Sequence, residues 1–232
     1  MYITRVARTS ERLFVKIAHR GASAYEPENT IRSFRRAIEL GADMVELDVR
    51  RSLDGRLVVI HDSKVDRTTN GRGLVRLKSL TEIKELDAGM GERIPTLEEA
   101  FETAMGKTRF VIELKEDGLE NQVIKVIRDY CEMEDVFIVS FKPHRLKAVK
   151  DLEPDLKTGL ILFASTDPLR IARTCGADAV APFRWFITKN LADRARDAGI
   201  YLFTWTVDDR EKAMWLREMG VSGIVTNRPD LI

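Results

Sequence analysis

Between residues 19 and 62 the chain gathers two histidines, an arginine and a pair of carboxylates: His19-Arg20-Gly21, Pro27-Glu28-Asn29-Thr30, Glu46-Leu47-Asp48-Val49 and His61-Asp62. Imidazole moves protons near neutral pH. Guanidinium grips a phosphate through two parallel hydrogen bonds, and paired carboxylates hold a hard divalent cation. Together these groups make a kit for attacking a phosphodiester. Only three histidines occur in the chain, and two of them lie in this block. The third, His144, sits at a helix start after Lys142-Pro143 and reads as structural or exposed.

Such groups need a frame that points them at one place. Short β-branched runs alternate with helical patterns along the chain, which implies a mainly parallel sheet. Strands are expected over Val15–His19, Met44–Val49, Leu57–His61, Arg109–Leu114, Val136–Ser140, Thr158–Leu162, Ala177–Ala181, Ile200–Thr206 and Gly223–Thr226. A helix over Thr30–Leu40 carries Ile31, Phe34, Ala37 and Ile38 on one face, capped by Asn29 or Thr30 and ended by Gly41. The fold class is α/β, and 232 residues suit a (β/α)₈ barrel. Nine strands are one too many. Met44–Val49 and Leu57–His61 are joined only through Asp54-Gly55, a hairpin signal and far too short for a parallel crossover. Leu57–His61 is therefore expected to be an antiparallel companion, with Leu53 opposite Arg56 and Asp48 opposite His61 unless a bulge shifts the register by one. Residues 62–93 then form a small insertion around one short helix near Leu80–Leu86, within a single domain of 232 residues.

Alternate residues of a strand share a face, so Glu46 sides with Asp48, and Glu113 with Lys115. In a barrel the C-terminal strand ends form the mouth of the site. Converging carboxylates there repel one another and resist desolvation, and a divalent cation relieves both. An all-oxygen set favours Mg²⁺ or Ca²⁺, with Mn²⁺ possible and zinc disfavoured.

The ordered series H-R-G, P-E-N-T, E-x-D-V, D-G, H-D, R-T-T, E-L-K, W-T-V and G-x-x-T-x-x-P closely resembles the glycerophosphodiester phosphodiesterase family. Here it reads His19 to Gly21, Pro27 to Thr30, Glu46 to Val49, Asp54-Gly55, His61-Asp62, Arg67 to Thr69, Glu113 to Lys115, Trp205 to Val207 and Gly223 through Pro229. The resemblance implies a (β/α)₈ barrel and hydrolysis of small-molecule glycerophosphodiesters to glycerol phosphate and an alcohol. It implies His19 and His61 as the catalytic acid–base pair, and Glu46, Asp48 and Glu113 as ligands of one divalent cation. Arg20 and Lys115 would bind the phosphate, and Trp205 would form an aromatic wall for the glycerol end. Glu28 is either an orienting group or a first-turn acid, and Asn29 reads as a cap rather than a ligand. Two positions depart from the family pattern: Asp208 stands where asparagine is common and Asn227 where aspartate is common. They are expected to retune loop hydrogen bonds and fine substrate preference, away from the groups that do the chemistry.

Thirty-eight basic side chains against 37 acidic ones leave a net charge of +1, which speaks against a nucleic-acid partner. Cys131 and Cys175 give no disulfide framework and read as inert thiols. Met1 to Arg12 lacks the apolar core of a signal peptide, and no run approaches a transmembrane length, so a cytoplasmic address is expected. Oligomeric state is left open. Two rivals remain: a lysophospholipase D-like enzyme fed through Phe183, Trp185 or Phe186, and a barrel that binds phosphodiesters without turnover. The second should lack a histidine or a metal carboxylate, and this chain has them all.

Overall fold

The computed structural model of the chain describes residues 14–104 and 106–232. Its strands are β1 (Val15–Ala18), β2 (Met44–Arg51), β3 (Leu57–Val59), β4 (Arg109–Leu114), β5 (Val136–Ser140), β6 (Lys157–Leu162), β7 (Ala179–Pro182), β8 (Tyr201–Thr204) and β9 (Gly223–Thr226). All except β3 run parallel, each bonded to the next around a ring that β1 closes by pairing with both β9 and β2. Helices α1 (Ile31–Glu39), α2 (Leu80–Glu85), α3 (Leu97–Ala104), α4 (Glu120–Tyr130), α5 (Pro143–Leu152), α6 (Pro168–Thr174), α7 (Lys189–Asp197) and α8 (Arg210–Glu218) fill the connections. This is the (β/α)₈ barrel that the strand–helix alternation implied.

The period of two sorts each strand between two cores. Val45, Leu47 and Val49 of β2 face outward into the layer shared with Phe34, Ala37 and Phe101 of the helices. Met44 instead joins Ile17, Val111, Val139, Ala179 and Phe203 inside the ring. Glu46 and Asp48 continue that inward face toward the C-terminal rim, so the strand that packs the barrel also presents its acids. Helix α1 begins where Thr30 accepts from the Ser33 amide in a capping box, and it ends just before Gly41, which has φ +74°. Thr30, not Asn29, is the cap.

Strand β3 is the expected antiparallel companion, but its register is one residue off the simple count. Val49 faces Val59, Arg50 faces Val58 and Arg51 faces Leu57, while the Ile60 amide donates to the Asp48 carbonyl. Ser52 pairs with Arg56 around Leu53-Asp54-Gly55, and Gly55 takes φ +81°. A three-residue hairpin loop ending in a left-handed glycine adds one residue to the turn and moves every partner by one. Asp48 therefore sits opposite Ile60, and His61 lies just beyond the paired stretch. Because β1 bonds only Met44 and Val45, the upper edge of β2 is open for β3 to occupy. That placement carries His61 to the barrel mouth.

After β3 the chain forms a small annex with its own core of Val58, Ile60, Val65, Val75, Ile83, Ala88 and Ile94. Its helix α2 is set by a Ser79–Glu82 capping box. Cys175 is buried and Cys131 partly so; burial pushes the Cys131 thiol up to about 11, consistent with an inert group. Among the described residues no helix is long and apolar enough to cross a membrane. The expectation about Met1 to Arg12 lies outside the described residues.

Candidate active site

Six of the eight sequence-predicted site residues line one cavity of about 300 Å³ at the C-terminal end of the barrel: His19, Arg20, Glu46, His61, Glu113 and Trp205. The other two, Asp48 and Lys115, join it through ion pairs. Lys115 Nζ lies 2.7 Å from Glu113 and 3.4 Å from Asp48, and Arg20 Nε lies 3.3 Å from Asp48. His144 is apart from the site; its Nε2 lies 2.9 Å from the exposed Asp117.

Glu46, Asp48 and Glu113 are all buried, and one oxygen from each lies within 4.8 Å of the others. Burial, then the nearby Asp48 charge, pushes the Glu46 carboxyl well above the usual carboxylate range. The same two causes push Glu113 up to about 7. Burial also opposes the charge of Asp48, but Lys115 and Arg20 outweigh it and hold that carboxyl low. Asp48 Oδ1 is buried and accepts no hydrogen bond, with only the Lys115 ammonium 3.4 Å away. A carboxylate oxygen without a hydrogen bond beside two acids that resist ionisation is the chemistry of a hard-cation site. The donor set fits a divalent ion.

The two histidines are held differently. His19 Nδ1 lies 2.8 Å from Asn227 Oδ1, an acceptor, so Nδ1 carries the proton and Nε2 keeps its lone pair. Burial, followed by the Arg20 charge, lowers the His19 pKa. His61 Nδ1 lies 2.7 Å from Asp62 Oδ1. Burial lowers the His61 pKa as well, while Asp48 and Asp62 pull it back upward.

Several supporting residues were not legible as such. Asn29 donates from Nδ2 to Asp48 Oδ2 at 2.8 Å and adopts φ +57°, so the residue read as a cap instead holds a candidate metal ligand. Gly21 follows Arg20 with φ +81°, and a Cβ there would lie 2.3 Å from Ser33 Oγ, which explains a glycine inside the H-R-G run. Arg67, from the annex, donates to both oxygens of Glu28 and both of Asp62. Glu28 in turn accepts from Arg20 at 2.8 Å. One guanidinium thus ties the partner of Arg20 to the partner of His61. Asn227, expected to stay clear of the chemistry, accepts directly from His19, which corrects that reading.

Residues 19–231 match the model of the glycerophosphoryl diester phosphodiesterase family. The chain belongs to that family. It is 45% identical to a glycerophosphodiester phosphodiesterase of Caldanaerobacter subterraneus subsp. tengcongensis, over 93% of this chain and 95% of the relative. A Bacillus subtilis glycerophosphodiester phosphodiesterase is 35% identical over 93% of this chain and 84% of the relative. The fold is also that of an Oleispira antarctica phosphodiesterase solved with its product sn-glycerol-3-phosphate, with TM-score 0.88, 29% identity and coverage of 93% and 94%. As a member of the glycerophosphoryl diester phosphodiesterase family, the chain is an enzyme, a phosphoric diester hydrolase acting on glycerophosphodiesters. The cavity that joins histidines, arginine and acids is where its geometry suits that chemistry.

Proposed function

We propose that the chain splits glycerophosphodiesters into glycerol phosphate and an alcohol, with His19 as general base and His61 as general acid. The observation that carries this reading is the contrast between their partners. A neutral amide leaves His19 uncharged with Nε2 free to take a proton. The Asp62 carboxylate supports the imidazolium of His61 that must give one, against the burial that lowers its pKa. Arg20 would hold a non-bridging phosphoryl oxygen, where charge grows in the transition state. Lys115 adds a second positive charge beside Glu113 and Asp48, and Trp205 would line the cavity for the glycerol end. Glu46, Asp48 and Glu113 would hold one divalent cation, Mg²⁺ or Ca²⁺, with Mn²⁺ also suited to oxygen ligands. When bound, such an ion supplies Lewis-acid stabilisation to phosphoryl and nucleophile oxygens. His19 takes its proton from an oxygen nucleophile, either the glycerol 2-hydroxyl or water. The first route gives a cyclic phosphate that trapping at slow turnover would reveal. One domain with an annex, and a cytoplasmic address, complete the reading.

The test is product analysis on glycerophosphocholine and glycerophosphoethanolamine with added Mg²⁺, Ca²⁺ or Mn²⁺. Equal amounts of glycerol phosphate and free alcohol are expected. Inorganic phosphate as the first product would refute a diesterase.

A second reading, the lysophospholipase D-like one, has an observation in its favour. Of the nineteen residues lining the cavity only five are polar, and the β5–β8 side is walled by groups such as Phe141, Phe163 and Trp205 that a bare glycerol cannot match. Trp205 meets the rings of Phe163, Phe183 and Phe141 at 5.1, 5.2 and 5.6 Å. Trp185 is 72% exposed and Phe186 46%, so both stand on the rim rather than packed inside. On this reading kcat/KM for monomeric lysophosphatidylcholines rises by up to about fourfold per added methylene until the space is full. A flat chain-length series with active glycerophosphocholine turnover would exclude it.

A further inference from the structure

The loop after β8 touches the end of β9, and there an acid meets an amide. Asp208 Oδ1 accepts from the Asn227 amide at 2.7 Å and from Thr226 Oγ1 at 2.9 Å, and Asp208 Oδ2 accepts from Asn227 Nδ2 at 2.6 Å. The Val207 amide donates to the Val225 carbonyl and holds the two segments together. A carboxylate only accepts, so it must face the NH₂ end of the Asn227 side chain. The carbonyl end is then turned toward His19, where Oδ1 meets Nδ1 at 2.8 Å and shares the Ser23 hydroxyl proton. With the amide reversed, two oxygens would face each other across the Asp208 contact. The orientation of Asn227 is thus decided one residue further out than the histidine.

We propose that Asp208 is a positioning residue that sets the ring tautomer of His19 through Asn227. The acid and the amide stand exchanged relative to the usual family pattern, which moves the negative charge one step away from the histidine and keeps an acceptor in contact with it. The charges that act on His19 are those of Arg20, Asp48 and Glu28, and Arg228 lines the same pocket. Among the described residues only Asn227 bonds Nδ1, so the amide selects the tautomer. The inference rests on His19 being the base, and its test separates the two.

In Asp208→Asn the new amide presents its NH₂ to Asn227 and accepts the Asn227 backbone N–H with its oxygen. Asn227 then turns its own oxygen outward and its NH₂ toward His19, leaving Nδ1 as the lone pair and the proton on Nε2. A wrong tautomer of this kind costs a catalytic histidine up to about 10⁴ in turnover. The expected result is a fall in kcat of roughly 10²- to 10³-fold with KM within about threefold of the original. The exchange Asp208→Asn with Asn227→Asp restores an acceptor to Nδ1 and should return kcat to within about tenfold. Ring ¹⁵N spectra of the metal-free proteins, with the His19 signals identified by their loss in His19→Ala, read the tautomer independently of activity. They should show Nε2 unprotonated in the wild type and in the exchanged pair, and Nδ1 unprotonated in Asp208→Asn. An unchanged tautomer in folded Asp208→Asn, or a double variant no better than the single one, overturns the inference. An active His19→Ala beside the expected ¹⁵N pattern would instead overturn the base assignment and leave the positioning intact.

Discussion

His61→Ala and His19→Ala are each expected to lower kcat by about 10²- to 10⁴-fold while leaving the folded barrel in place. Both rings stand at the mouth rather than in the helix-facing core, so neither substitution opens a large cavity. His19 loses its proton below the ordinary imidazole value of 6.5, because burial and the Arg20 charge disfavour the imidazolium. The base is therefore already competent in neutral solution, and the acidic limb of the kcat/KM profile should lie below that ordinary value. His61→Ala should flatten the alkaline limb, which burial of His61 draws downward, since the group that must stay protonated is gone. Small amines or imidazole in solution should restore part of the turnover of His61→Ala. Wild-type turnover in either variant would remove the acid–base pair from the mechanism. Loss of activity accompanied by loss of the cooperative unfolding transition would mean that the residue acts in folding instead.

Glu113→Gln is expected to have two opposite effects, one on metal binding and one on stability. The carboxyl titrates at about 7 in the folded chain against an ordinary value of 4.5, so the folded state holds that proton more tightly than the unfolded state does. The penalty for ionising it is absent below the ordinary value, grows as pH rises toward about 7, and is complete above it. Removing the charge should therefore stabilise the metal-free protein at about pH 8, by at most about 3 kcal/mol. Loss of the Lys115 contact at 2.7 Å offsets part of this gain. At about pH 4 the gain should vanish. In the presence of Mg²⁺ or Ca²⁺ the order reverses: the wild type gains about 2.7 kcal/mol at a hundredfold excess over Kd, and the variant gains little. Urea unfolding at two pH values, with EDTA and with metal, reads all four cases. Equal stabilisation of both proteins by metal would place the ion elsewhere.

The distance between sequence and structure follows from which interactions are local. Strands β4, β5 and β9 have the bounds expected from their β-branched runs, and the excess of β3 was decipherable because Asp54-Gly55 is too short for a crossover. Alternation alone placed Glu46 with Asp48 on one face, and the closed ring turned that face inward. Register was harder: whether Gly55 closes a two- or three-residue loop depends on how Ser52 meets Arg56, and both begin from the same residues. Helix α1 could be capped by either of two neighbours, and Thr30 won because Asn29 is drawn off to Asp48 across nineteen residues of chain. Partners farther apart left no local trace. His19 finds Asn227 across 208 positions, and Glu28 finds Arg67 across 39. Periodicity tells which face a residue shares, and says nothing of which loop will arrive opposite it. The two departures at Asp208 and Asn227 were visible as departures, but their contact, and hence their meaning, needed the closed ring.

The most direct test of metal-assisted acid–base cleavage by this cavity is glycerophosphocholine turnover by protein stripped with EDTA and verified metal-free by elemental analysis. The stripped protein should be silent, and Mg²⁺ or Ca²⁺ should restore equal release of glycerol phosphate and choline in the wild type but not in His61→Ala or Glu113→Gln. Full turnover by the verified metal-free protein, or metal-restored turnover in Glu113→Gln equal to that of the wild type, would contradict the account.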